Sequence, residues 1–177
     1  MTATPRRTQP ENCRDARPPE PPQGKPENPA PAPELCVKHF QDLTTHELFA
    51  IYKLRTAVFV VEQHCPYQEV DDADQTAWHL WLREGEELLA YLRVLPKDDS
   101  GQAFIGRVIA ARRGQGLGAR ILAEGVRFAR DTLGAGSIAL SAQSYARGFY
   151  EKAGFAAASG EFLEDGISHI KMTFRIK

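Results

Sequence analysis

Cysteine is scarce in this chain of 177 residues: Cys13, Cys36 and Cys65 form no Cys-x-x-Cys pair, and one is left over from any disulfide pairing. The simplest compartment for such a chain is reduced and intracellular, so a cytoplasmic location is expected. Charge of one sign is lacking too. With a formal net charge of -1, nothing general draws the chain to nucleic acid or to an anionic membrane. No apolar run approaches the ~20 residues needed to span a bilayer. Proline is nearly missing after residue 34, because ten of the twelve prolines precede it, among residues with almost nothing aliphatic. Residues 1–34 therefore cannot bury enough surface to offset their ordering entropy, and a disordered proline-rich leader is expected. The leader has no apolar core of a signal peptide, and its interspersed acids argue against a transit peptide. Pro18-Pro19-Glu20-Pro21-Pro22 suits a proline-recognising groove, although a solvated leader is the plainer reading.

Metal patterns are missing as well. The acidic loop Glu69-Val70-Asp71-Asp72-Ala73-Asp74 has neither the glycine at the sixth position nor the glutamate at the twelfth that a calcium loop requires. His64, Cys65 and His79 stand at spacings unsuited to zinc. No metal is expected.

What is present is one globular segment, residues 35–177, in a chain with 42% hydrophobic residues, enough for a sizeable core. Leu35 to Phe40 alternates as a first strand, and Thr44 or Thr45 caps a helix carrying Leu48, Ile51, Tyr52, Leu54, Arg55, Val58 and Phe59. That helix is expected to give way near Val60–Gln63, before Cys65-Pro66-Tyr67 enforces a turn. Three strands follow by hairpins: Ala77 to Leu82, Leu88 to Leu95, and Phe104 to Ala110. A helix starts within the glycines after Ala110, and Ser137 to Ser141 returns as a parallel strand. A short helix, Ala146 to Ala153, precedes two final strands joined at Asp165-Gly166. The class is α/β, on a mixed, mostly antiparallel sheet flanked by helices.

The chain is organised around Arg112-Arg113-Gly114-Gln115-Gly116-Leu117-Gly118-Ala119, where a strand, a glycine turn and a helix N-terminus follow one another. Glycine lets backbone approach a ligand closely. The unpaired N–H groups of a first helical turn, with the helix dipole behind them, suit a pyrophosphate. Three phosphate ligands compete. A P-loop needs Gly-Lys-Ser/Thr, which is absent. Gly114, Gly116 and Ala119 satisfy Gly-x-Gly-x-x-Gly/Ala, but the next strand ends in Ala142 and Gln143, with no carboxylate for a dinucleotide ribose. The third pattern is Arg-x-x-Gly-x-Gly, met by Arg113, Gly116 and Gly118.

That third pattern resembles the acyl-coenzyme A signature of the GNAT acetyltransferase superfamily. A second stretch of likeness is Gln143, Ala146, Tyr150 and Gly154-Phe155, although the family more often has Asn where Gln143 stands. The segments Arg55-x-x-Val58-Phe59-Val60-Val61-Glu62-Gln63, Pro66-Tyr67-x-Glu69-Val70-Asp71, Gly106-Arg107-Val108 and Glu164-Asp165-Gly166-Ile167-x-His169 resemble the ElaA-type branch. The likeness runs from about Leu35 to the C-terminus. It implies the GNAT N-acyltransferase fold, acetyl-CoA as co-substrate, and transfer of acetyl to a primary amine of a small molecule or peptide. By resemblance, residues 113–119 and Gln143 hold the cofactor, and Val108, Ile109 and Ala110 offer strand backbone to the pantetheine arm. A backbone N–H there polarises the thioester carbonyl.

Tyr150 is the expected acid, since a phenol near pKa 10 still holds its proton at neutral pH and can pass it to the thiolate as the C–S bond breaks. A base is harder to find. The strand before the glycines carries Arg107 and no Glu or Asp, which leaves Glu62, placed where the helix breaks, His79, beside the tryptophans, the acidic loop with Asp71 and Asp74, or water alone. For a cationic acceptor the candidates are Asp71, Asp74, Arg107, Glu164 and His169. Arg55-x-x-Val58-Phe59 with Glu69, Asp71 and Asp74 also resembles the front half of acyl-homoserine lactone synthases, which share the core; that likeness implies an acyl carrier protein as donor. A non-catalytic acetyl-CoA sensor is a further alternative. The acceptor and the oligomeric state, a homodimer included, stay open.

Overall fold

The computed structural model describes residues 32–176, so all but the last residues of the leader lie outside the described part. In chain order it contains β1 (Glu34–His39), α1 (Thr45–Arg55), β2 (Trp78–Glu84), β3 (Glu87–Leu95) and β4 (Gln102–Ala110). Then come α2 (Leu117–Asp131), β5 (Ser137–Gln143), α3 (Arg147–Lys152), β6 (Ala156–Glu164) and β7 (Ile167–Arg175). The seven strands form one sheet in the order β1-β2-β3-β4-β5-β7-β6. Every neighbouring pair is antiparallel except β4 and β5, the pair joined by the α2 crossover.

Local chemistry sets the element ends. The Thr44 hydroxyl accepts the Glu47 N–H, and the Glu47 carboxylate accepts the Thr44 N–H, a reciprocal cap that starts α1. After Arg55 the helix neither stops nor continues in register: Thr56–Glu62 is a π-helical turn. The expected break at Val60–Gln63 is thus a change of helix type, and the wider turn re-aims the side chains that follow. Asp165 and Gly166, both with positive φ (50° and 79°), close the β6–β7 hairpin as a type I′ turn.

Strand alternation divides the core in two. Ala90, Leu92 and Val94 of β3 face the cluster built on Leu117, Ile121, Leu122 and Ala129 of α2. Tyr91, one residue out of phase, faces Ile51 of α1 together with Trp81 and Ile109. The α2 helix comes so near β3 that a Cβ added at Gly125 would lie 2.8 Å from Leu92 Cδ2.

Three irregularities matter for function. The parallel β4–β5 ladder holds only Gln102–Phe104 against Ser137–Ala139, and the strands then part. The β3–β4 register shifts so that Tyr91 faces Ile109 while Arg93 faces Gly106, leaving Arg107 and Val108 opposite Leu92. Arg107 takes a φ of 56° at this bulge. On β6 the register shifts between Ala157 and Glu161.

The tight helix–sheet contact yields one test. Gly125→Val overpacks α2 against Leu92 and Ile105 and should cost about 1–3 kcal/mol, read by urea denaturation; an unchanged midpoint would show that α2 can move away freely.

Candidate functional site

The parting of β4 and β5 opens a cleft of about 500 Å³. Val108, Ile109 and Ala110 form one wall, Leu140, Ser141 and Gln143 of β5 the other, and Arg113 and Gly118 lie at one end. Beyond the last ladder pair, neither strand can satisfy its backbone groups on the other. That leaves main-chain donors and acceptors for an extended ligand.

At the head of α2 the backbone is arranged to receive charge. Gly114 and Gly116 have φ of 78° and 73°, a region that disfavours any side chain, and nothing crowds the space where a Cβ would sit. Gly116 is the N-cap and supplies no side-chain cap, so the first-turn N–H groups keep no protein partner of that kind. The Leu117 side chain is buried in the core, which leaves only its backbone at the glycine turn, while Gln115 and Ala119 are exposed. A Cβ on Gly118 would stand 3.6 Å from both Ala110 Cβ and Phe149. Of the two arginines at the entrance, Arg112 is bound to Glu87 at the start of β3. Arg113 alone lines the cleft, and it pairs with Glu62.

Tyr150 of α3 is buried against the cleft, edge-on to Phe149 and Phe155. Burial, with a smaller push from Tyr145, raises its hydroxyl to about 12. The phenol therefore keeps its proton throughout the physiological range. Gln143 forms a reciprocal amide pair with Gln63, at 2.9 and 3.3 Å, joining the end of β5 to the residue after the π turn. Cys65, Tyr67, Glu164, Asp165 and His169 line the same cleft.

Several expected site residues turn out to be engaged elsewhere. The acidic loop is not a solvated lure for amines: Asp72–Thr76 is a 3-10 turn, and Asp74 within it is buried. Asp74 accepts from Arg55 (2.6 and 3.0 Å) and from Arg93 (2.7 Å). Asp71 is held by Arg93 at 2.6 and 2.8 Å and by Arg107 at 3.1 Å. Arg107 borders the cleft, yet its guanidinium is turned to Glu69 (2.7 Å) and Asp71, between the rings of Phe59 and Tyr67. Three guanidinium groups and three carboxylates thus balance one another, which is how buried charge is tolerated. Burial alone would raise the Asp74 carboxyl, but hydrogen bonds and charge from Arg55 and Arg93 outweigh it and hold the group below its ordinary range.

Two of the three expected catalytic residues also move away from the cleft. His79 is fully buried. Its Nε2 donates to the Asp74 carbonyl (3.2 Å), and its Nδ1 accepts the Tyr91 hydroxyl (2.7 Å), so both nitrogens are spent. Burial lowers its pKa and keeps it neutral. Glu62 is exposed and bound to Arg113 rather than to Arg55, whose guanidinium is taken by Glu69 and Asp74.

The sequence profile described as "Acetyltransferase (GNAT) domain" matches residues 40–176. The chain belongs to the GNAT acetyltransferase family. Protein ElaA of Escherichia coli is 37% identical over 139 residues, covering 76% of this chain and 91% of that protein. A UPF0039 protein of Schizosaccharomyces pombe is 37% identical over 147 residues, 81% of this chain and 97% of its own. Among solved structures, an acyl-CoA N-acyltransferase of Pseudomonas aeruginosa shares 44% identity at a TM-score of 0.75, covering 81% of this chain and 99% of that one. The crystal structure of E. coli ElaA superposes at a TM-score of 0.76 with 35% identity and the same coverage. The acyl-homoserine lactone synthase BjaI, described as CoA-dependent, shares the fold at a TM-score of 0.71 with 17% identity, covering 82% of this chain and 84% of that one.

As a GNAT enzyme the chain is an acyltransferase, and its ElaA-type resemblance is matched by the ElaA relatives. No helix among the described residues is long and apolar enough to cross a membrane. None of the described His, Cys, Asp and Glu residues cluster as a metal site. Sequence reasoning gave no site role to Gln63, Phe59, Tyr67 or Tyr145, which line the cleft. Gln63 ends the Val-Val-Glu-Gln run, but no apolar period signals the π turn that aims it.

The buried ion cluster should govern acid stability. Because the folded Asp74 pKa is depressed, its contribution is complete above the unfolded value of ~3.9 and is lost as pH falls through the folded value. Asp74→Asn should cost about 3–5 kcal/mol at neutral pH and flatten the fall in stability below about pH 4. Chemical denaturation across pH reads both; an equally steep acid limb in the variant would place the titrating group elsewhere.

Proposed function

We propose that the protein is an acetyl-CoA-dependent N-acetyltransferase that moves the acetyl group to a primary amine of a small molecule or peptide by direct attack. The observation that carries this reading is the continuity of the parted β4–β5 wall with an uncapped, glycine-lined helix N-terminus. An extended pantetheine arm with a pyrophosphate at its end matches that succession. Backbone N–H groups of residues 114–119 take the pyrophosphate, and Arg113 adds positive charge to the rim. Val108, Ile109 and Ala110 take the arm along β4, with Gln143 opposite on β5. Acetyl-CoA supplies the activated acetyl group as a thioester.

Two chain groups then act on the reacting atoms. A main-chain N–H beside the β4 bulge polarises the thioester carbonyl, and it does so without reorganising because the bulge fixes it. The Tyr150 hydroxyl protonates the departing thiolate. Burial keeps that hydroxyl protonated at neutral pH, so the group is a proton source and not a phenolate before the C–S bond breaks. Glu164 and Asp165, which line the cleft, bring negative charge to it for a cationic amine.

Gly116→Glu puts a β-carbon at a φ of 73° and an anion where the pyrophosphate belongs. Calorimetric titration with acetyl-CoA should show no saturable binding to this variant; an affinity equal to the parent's would overturn the cradle. Tyr150→Phe should leave that affinity intact and lower kcat ~10²-fold, measured by coenzyme A release against an amine panel. Equal turnover would reduce Tyr150 to packing.

A further inference from the structure

One proton has no destination in this scheme: the one an alkylammonium acceptor must lose before its nitrogen can attack. The expected bases do not serve, since His79 is sealed, Glu62 is bound to Arg113, and Asp71 and Asp74 are bound to arginines. His169 of β7 stands differently. It lines the cleft, half-buried, paired across the sheet with Gln143 on one side and Phe162 on the other. Its Nδ1 lies 2.9 Å from the Ile167 carbonyl oxygen. A carbonyl only accepts, so Nδ1 carries the hydrogen, and in the neutral ring Nε2 is left with a lone pair. The Phe162 ring stacks on the imidazole at 6.2 Å, with 30° between the planes, and fixes its orientation. Nε2 has no hydrogen-bond partner among the described residues.

We infer that His169 is the general base of the transfer, a role that rests on the acetyltransferase reading above. Glu164 and Asp165, the exposed carboxylates beside it on the hairpin, have no comparable orienting bond among the described residues. Nε2 takes one proton from the ammonium and leaves a neutral amine. The nitrogen lone pair forms the N–C bond, the C–S bond breaks with its pair on sulfur, and Tyr150 protonates the thiolate. The nitrogen sheds its second proton through water to the Tyr150 phenolate, and the imidazolium releases its own to solvent. One ammonium and one thioester give one amide, one thiol and one proton.

The test uses the full chain with His169→Gln and His169→Ala. Acetyl-CoA is the donor; the acceptors are primary alkylamines and lysyl peptides on one side, and hydroxylamine, uncharged at neutral pH, on the other. With the ammonium acceptors kcat should fall ~10²–10⁴-fold while KM for acetyl-CoA holds. With hydroxylamine, which needs no deprotonation, most of that loss should vanish. Added imidazole should restore part of the turnover of His169→Ala. An equal loss with both kinds of nucleophile would make His169 a structural residue, and unchanged turnover would remove it from the reaction. Nitrogen-15 NMR of the parent provides a reading independent of any acceptor: a ring protonated on Nε2 alone overturns the inference. Calorimetry separates the two claims, because a parent chain that fails to bind acetyl-CoA sinks the acetyltransferase reading itself.

Discussion

The rest of the site depends on the buried lattice of Arg55, Arg93 and Arg107 with Glu69, Asp71 and Asp74. It joins four pieces of chain, α1, the acidic loop, β3 and the β4 bulge, of which only β3 and β4 are otherwise paired. Charges so deep in a protein survive only when each is answered, so none can shift alone. Arg107 is the member that reaches the cleft. Its backbone is held at an unfavourable φ while its side chain is clamped from below. A strained residue persists where the surroundings over-determine it, and here they do. The bulge that orients the β4 amides is therefore fastened by ion pairs rather than by the ladder it interrupts.

Much of what faces the donor is main chain. Separation of two parallel strands and an uncapped helix start both come from withholding ordinary partners from peptide groups. In the proposed transfer, side chains enter where protons move, and each of these is oriented by its neighbours: Tyr150 by Phe149 and Phe155, His169 by Ile167 and Phe162.

The sequence made the fold and the glycine turn at one end of the cleft legible, for local reasons. Hairpin turns, the Thr44 cap and the Gly114–Gly118 run act through their own backbone preferences, which a linear reading can follow. The acceptor half was far less legible. A reading of Asp71 and Asp74 as bait for an amine follows from their polarity, and nothing local reveals that Arg55, Arg93 and Arg107 would converge on them from other elements. His79 misled in the same way, since its two partners, Tyr91 and the Asp74 carbonyl, become neighbours only once β2 and β3 pair. The π turn at Thr56–Glu62 likewise hides, because one wider turn leaves no mark on an apolar pattern.

The register shift in β6 has a consequence for how copies of the chain meet. β6 is one of the two outer strands of the sheet, and its own side of the ladder pairs as Ala156–Ala157 and Glu161–Glu164, with the shift between them. An incoming strand from another copy would meet a bent rim, flanked by glutamates, in place of a long flat one. Rims of this kind resist the open-ended strand addition by which sheet proteins aggregate, without any cost to the cleft on the sheet's interior.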